Sequence, residues 1–203
     1  AGLDLRRPDD RACFETLLAS AHVLVHGYRR NALAGLGFDE AARLRANPDL
    51  IDVALTAYGW SGPWSKRRGF DSLVQMSTGI ADSGMRINAS DKPVPLPFQA
   101  LDHATGYLMA AAIVRAILQR ATTGYVLSAR LSLARQAKLL QDRPAQSAVE
   151  ELAMVEERHF APGIEETPFG PLRRLRLPYT IEGVDLQFAH PVCRLRSAPS
   201  RWS

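Results

Sequence analysis

Cysteine, aromatic side chains and long apolar runs are all scarce in this chain of 203 residues, and each shortage removes a class of explanation. The two cysteines, Cys13 and Cys193, stand far apart and suggest neither a disulfide framework nor a metal knuckle. A reducing compartment is therefore expected, with no metal site, and Cys13 reads as a small buried hydrophobe. The longest apolar stretch, residues 107–118, falls short of the ~20 residues that span a bilayer and is broken by Arg115, so no membrane partner is expected. Ala1-Gly2-Leu3 lacks an initiator methionine and the basic-then-apolar order of a signal peptide, and the chain is expected to begin mid-protein. Arg173, Arg174 and Arg176 alternate with leucines but have no aromatic stacking platform or recognised motif beside them, which argues against nucleic-acid binding. No internal repeat or low-complexity segment occurs.

What is present suffices for a packed core. Hydrophobic residues make up 46% of the chain and charged ones 23%, which fits one domain or one large domain with an appendage. A net charge of +4 is compatible with an anionic partner, although steering depends on where that charge sits.

Helical and extended patterns alternate along the first two thirds. Pro8-Asp9-Asp10 opens a helix carrying Cys13, Phe14, Leu17 and Leu18, and Val23-Leu24-Val25 follows as a buried strand. Asp39 caps a second helix through Arg45, Asn47-Pro48 stops it, and residues 50–57 form another buried strand. Strands alternating with helices imply a parallel sheet. Residues 58–69 read as a Gly, Ser, Pro and Trp loop carrying Lys66, Arg67 and Arg68. A short helix follows from Phe70 to about Met76, then a second loop over 82–97. The strongest element is an alanine-rich helix from about Asp102 to Arg120, ended by Gly124 and expected to be buried on most sides. Beyond it the pattern predicts a strand over 126–133, helices over 133–140 and 148–157, and a hairpin over 175–188 turning at Glu182-Gly183.

Asp102 is the residue with the most chemical promise. A carboxylate at a helix start satisfies free backbone N–H groups, so capping is its ordinary role, yet the same placement keeps it ionised and oriented for nucleophilic attack. Gly106, four residues on, serves either close helix packing or close approach of a ligand.

Around these residues the spelling Leu101-Asp102-His103-Ala104-Thr105-Gly106, the long helix and Thr122-Thr123-Gly124 resemble the class III coenzyme A transferases, also called CaiB/BaiF. Leu3-Asp4-Leu5-Arg6, the segment from His22 to Arg29, and Tyr58-Gly59 through Gln75 agree in order, so the resemblance covers roughly residues 3–124. It implies a Rossmann-like parallel sheet with flanking helices, with Asp102 as the catalytic nucleophile. It also implies coenzyme A or acyl-CoA as substrate, a carboxylic acid as the other partner, and no permanently bound cofactor. Arg29 matches an arginine at the nucleotide end of CoA in relatives, and Arg68 a basic residue before Gly69-Phe70-Asp71. With Gly106, these are the expected CoA-facing residues.

Phe70 stands where the family's racemases carry a catalytic histidine; phenylalanine exchanges no protons, which favours transfer over epimerisation. Asp71 either lies beside the site or caps its own helix. His103 points about 100° away from Asp102 and reads as structural. His26 either touches the nucleotide or simply ends its strand, the second being favoured. Lys66, Arg67 and Arg30 read as solvated surface charge.

Relatives are longer than this chain. Their opening strand-helix unit would precede Ala1, and their small domain is expected to be reduced or missing. Residues 1–141 are expected to form the CoA-transferase-like α/β domain, with 142–203 a tail of helix and hairpin packed back on it. A cytoplasmic homodimer is expected. The competing reading is a CoA-binding pseudoenzyme or interaction module that has lost the groups around the acyl end.

Overall fold

The computed structural model describes residues 1–143, 154–184, 186, 188 and 190–202. It divides into two compact units, Leu5–Ala145 on one hand and Ala1–Asp4 with Gln146–Ser203 on the other.

The larger unit contains helices α1 (Pro8–Ser20), α2 (Glu40–Ala46), α3 (Asp71–Ser77), α4 (Ile80–Ile87), α5 (Ala100–Thr123) and α6 (Leu133–Gln141). Its strands β1 (Val23–His26), β2 (Ile51–Thr56) and β3 (Ala129–Ser132) form a sheet in the order β1-β2-β3, parallel throughout. This is the α/β class with a parallel sheet that the alternating pattern predicted.

Strand alternation sorts the side chains of β2 onto two faces. Ile51, Val53 and Leu55 pack with Met109 and Ala116 of α5, whereas Asp52 and Ala54 point the other way. A second apolar cluster joins α3, α4, α5 and α6 through Val74, Ile80, Leu101, Leu133 and Ala137. Leu101 is completely buried there, worth roughly 2 kcal/mol, and so anchors the first turn of α5.

Local signals fixed several boundaries. The Asp39 carboxylate accepts the Ala42 N–H at 2.7 Å and starts α2. Ser132 caps α6 by accepting the Arg135 N–H, and Gly124, in the left-handed region, ends α5. Other expectations need correction. α4 occupies the start of the segment read as a loop over 82–97; Ile80 and Ala81 are buried and an Asp82–Arg86 ion pair braces its outer face. A Cβ at Gly84 would come within 2.0 Å of the Val94 carbonyl, so glycine there admits the strand of loop that crosses α4.

α5 is longer than expected, at 24 residues, and is the helix among those described that is long and apolar enough to cross a bilayer by length and composition. Its packing on the sheet is that of a core helix, but along one face: Leu101, Thr105, Met109 and Ala116 are buried, while Tyr107, Val114, Ile117 and Leu118 are exposed. The expectation of burial on most sides fails because the small alanine-rich body needs only one stripe against β2 and β3.

In the smaller unit, β4 (Glu165–Thr167) and β5 (Gly170–Leu172) pair antiparallel. Arg174 makes a two-pronged pair with Glu165 at 2.7 and 2.9 Å. The expected turn at Glu182-Gly183 exists, closed by a bridge between Ile181 and Val184, but the regular hairpin lies earlier, at β4 and β5. Residues 148–153 of the helix predicted over 148–157 lie outside the described residues, and 157–159 form a single 3-10 turn.

Candidate active site

The start of α5 is held by a buried polar clamp. Gln99, the residue before α5, makes no side-chain cap, and Asp102 is the third helical residue rather than the cap. The orphan N–H of Asp102 is satisfied from outside: it donates to Oδ2 of Asp71 at 2.8 Å. Asp71 is 1% exposed, and its Oδ1 accepts from Gln75 Nε2 at 2.5 Å. Gln75 also donates to the Phe98 carbonyl and accepts the Leu96 N–H, so one amide ties the loop before α5 to α3. Asp71 therefore caps a distant helix, not its own, whose preceding residue Phe70 makes no cap bond. Gln75 was not singled out by sequence reasoning; its spacing of four from Asp71 was the available signal.

With its backbone pinned, the Asp102 side chain is exposed at a shallow depression lined by His103, Gly106, Tyr107 and Ala110. Partial burial and the neighbouring Asp71 carboxylate raise its pKa above the ordinary 3.8, and His103 opposes them. His103, set aside on sequence grounds, thus shares the depression. Nothing lies within 4 Å of where a Cβ on Gly106 would stand, so helix packing does not account for this glycine. Gly69 is different: a Cβ there would meet Ala57 and the Tyr58 ring at 2.8 and 2.9 Å, a packing reason for glycine. Phe70 is 78% exposed and Arg68 is exposed beside it.

Arg29 lies elsewhere, on a cavity of about 260 Å³ on the sheet face turned away from α5. Arg29, Arg30, Arg43 and Arg130 line it with Tyr28 and Trp60, above a floor of His26 and Asp52. Arg43 holds Asp52 through Nε and Nη2 at 2.8 and 2.5 Å and donates to the Phe38 carbonyl. His26 Nε2 stands 3.6 Å from Asp52 Oδ1; both ring nitrogens and that oxygen lack a hydrogen-bond partner. Burial pushes the His26 pKa below 6.5, with Arg43 acting in the same direction and Asp52 against it. Arg30, expected to be solvated, donates to buried Ser65 at 3.1 Å. The structure thus joins Asp102, Asp71 and Gly106 in one place and puts Arg29 in another. The Arg43–Asp52 pair was missed, although an aspartate inside an apolar strand demands a partner.

Comparison with known proteins identifies the fold's relatives. A "Probable fatty acyl-CoA transferase" of Mycobacterium tuberculosis is 35% identical over 108 residues, covering 53% of this chain and 27% of that protein. A crystal structure of that mycobacterial protein superposes with a TM-score of 0.63 at 31% identity, covering 68% of this chain and 38% of the other. The succinate–glutarate CoA-transferase of Agrobacterium fabrum is 27% identical over 121 residues, covering 60% of this chain and 30% of that enzyme. The chain thus spans well under half the length of each. The profile of CoA-transferase family III matches residues 1–166, most of the 203, and the chain belongs to that family.

Proposed function

We propose that this chain carries the nucleophile and part of the CoA-binding surface of an enzyme that moves coenzyme A from an acyl-CoA to a carboxylic acid. The observation that carries the reading is the placement of Asp102. Its backbone is clamped by Asp71, its carboxylate is open to the surface, and Gly106 leaves room for a thioester to approach.

The chemistry proceeds by acyl transfer to the carboxylate. An oxygen of Asp102 attacks the thioester carbonyl carbon; the C–S bond breaks, leaving an acyl-aspartyl anhydride and CoA thiolate. The thiolate attacks the aspartyl carbonyl carbon, releases the donor acid as carboxylate, and forms an aspartyl-CoA thioester. The acceptor carboxylate then expels the thiolate to give a second anhydride. The thiolate finally attacks the acceptor's acyl carbon, yielding the new acyl-CoA and restoring Asp102. An oxyanion forms in each step, and the positive end of the α5 dipole favours it, the amides of Ala100, Asp102 and His103 being themselves engaged by Phe98, Asp71 and Gln99. The raised pKa of Asp102, from partial burial and the Asp71 carboxylate, makes it a more basic nucleophile.

Arg29, with the guanidinia around it, supplies positive charge for the phosphates of CoA, and Arg68, Gly69 and Phe70 form the lip along which pantetheine passes. Phe70 has no exchangeable proton, which supports transfer over racemisation. Asp71 acts through the backbone of Asp102. In this reading residues 1–141 carry the CoA chemistry and 142–203 an appended tail, in a cytoplasmic enzyme with no permanent cofactor. The apolar side chains exposed along α5 support homodimerisation.

The test is covalent trapping. The full chain is incubated with acetyl-CoA and succinyl-CoA, quenched with hydroxylamine, and digested for mass spectrometry. A hydroxamate on Asp102, absent from Asp102→Asn, is the expected result. CoA binding without any adduct would replace transfer with a binding module.

A further inference from the structure

On the side of α5 roughly opposite the Asp102 depression, a cavity of about 330 Å³ opens between α5, β3, α6 and the turn after β2. At ~100° per residue, Thr105 and Leu108 face it while Gly106 and Ala110 face away. Three residues that line it, from three separate segments, each carry a buried polar atom with no hydrogen-bond partner: Trp60 Nε1, Thr105 Oγ1 and Gln136 Oε1. Thr105 is 1% exposed. The contrast within α5 is direct, because Thr122 and Thr123 return their hydroxyls to carbonyls one turn back, as helical threonines commonly do, and Thr105 does not.

Buried polar atoms without partners are costly, at about 1–3 kcal/mol each, and three of them on residues that line one cavity call for an occupant within reach. The lining states its chemistry. Arg130 and Arg135 contribute positive charge, and no acidic side chain among the described residues lines the cavity. Arg130 is partly committed, to Glu40 and over the Trp60 ring, while Arg135 is exposed and makes no ion pair among the described residues. Leu108, Leu131 and Leu139 form an apolar wall. Phosphate fits less well: the first amides of α6 are already spent on Ala57 and Ser132, and the leucines offer phosphate nothing.

We propose that this cavity is a second binding site, for a short aliphatic carboxylate. The indole N–H of Trp60 and the hydroxyl of Thr105 donate to its oxygens. The Gln136 amide, turned so that its NH₂ faces inward, adds a third donor. Arg135 supplies the countercharge and the leucines cover the alkyl chain. The site shares Trp60 and Arg130 with the cavity beside Arg29 but does not include Asp102, so loss of the covalent step at Asp102 and loss of carboxylate binding here can each occur alone.

The experiment uses the full chain labelled with ¹⁵N and titrated with sodium butyrate, watching the Trp60 indole cross-peak, which is assigned by its loss in Trp60→Phe. A saturable shift is expected, unchanged in Asp102→Asn and weakened roughly tenfold in Thr105→Val and in Arg135→Gln. Sodium chloride at matched ionic strength and inorganic phosphate should leave the peak in place. Arg135 is on the surface, so its variant keeps the test decisive if the Thr105 variant does not fold. No saturable shift, an equal shift with chloride or phosphate, or wild-type affinity in Arg135→Gln would overturn the proposal.

Discussion

Asp71 and Asp52 are both buried carboxylates, 1% and 4% exposed, yet they end in opposite conditions. Asp71 has each oxygen engaged by a neutral donor, Gln75 on one and the Asp102 N–H on the other. Asp52 has one oxygen gripped by Arg43 and the other left bare, beside a histidine whose nitrogens are equally bare. The first arrangement is closed and serves geometry. The second is open on a cavity and retains capacity for a polar ligand. Burial alone therefore does not identify a functional carboxylate; the state of its lone pairs does.

The sharpest way to break this comparison is to remove each carboxylate. Asp52→Ala strands the Arg43 guanidinium in a buried setting and should cost about 4 kcal/mol in urea unfolding. Asp71→Ala leaves the Asp102 N–H without an acceptor and Gln75 with one fewer, and should cost about 3 kcal/mol. Replacing Arg43 and Asp52 together by leucines should recover most of the first loss, since the pair's removal leaves no stranded charge. A reversed ranking, or no recovery, would contradict the contrast drawn above.

Smaller effects sharpen it by pH. Because the folded pKa of His26 lies below 6.5, the unfolded chain binds the extra proton first. Its neutral form contributes stability that is complete above 6.5 and is lost as pH falls from there toward the folded value. His26→Gln should remove that part of the acid slope, measured as the unfolding midpoint against pH. Asp102 has the opposite sign: its folded pKa lies above 3.8, so ionising it slightly disfavours the fold as pH rises through that folded value. Asp102→Asn should therefore leave the neutral-pH melting temperature unchanged or slightly raised while abolishing the hydroxamate, the smallest change in stability with the largest in chemistry.

The parallel sheet, the cap at Asp39 and the long helix were legible because each rests on neighbours in sequence. α4 was not: Pro93, Pro95 and Pro97 made the whole of 82–97 read as loop, although the Asp82–Arg86 spacing suits a helix. Of the candidate site, Asp102 and Gly106 stood out, and Asp71 was marked without its role, since its partner is 31 residues away. The Arg43–Asp52–His26 cluster depends on two strands and a helix meeting, a convergence that periodicity does not report.

The clamp from Asp71 grips residue 102 by its main chain, not by what hangs from it. Whatever amino acid stands there is delivered to the same spot, like a tool held by its shank. Glutamate, serine or cysteine could be mounted at this position without rebuilding the socket. The scaffold thus separates where a reactive group sits from which group it is, and new chemistry at the tip of α5 need only solve the second question.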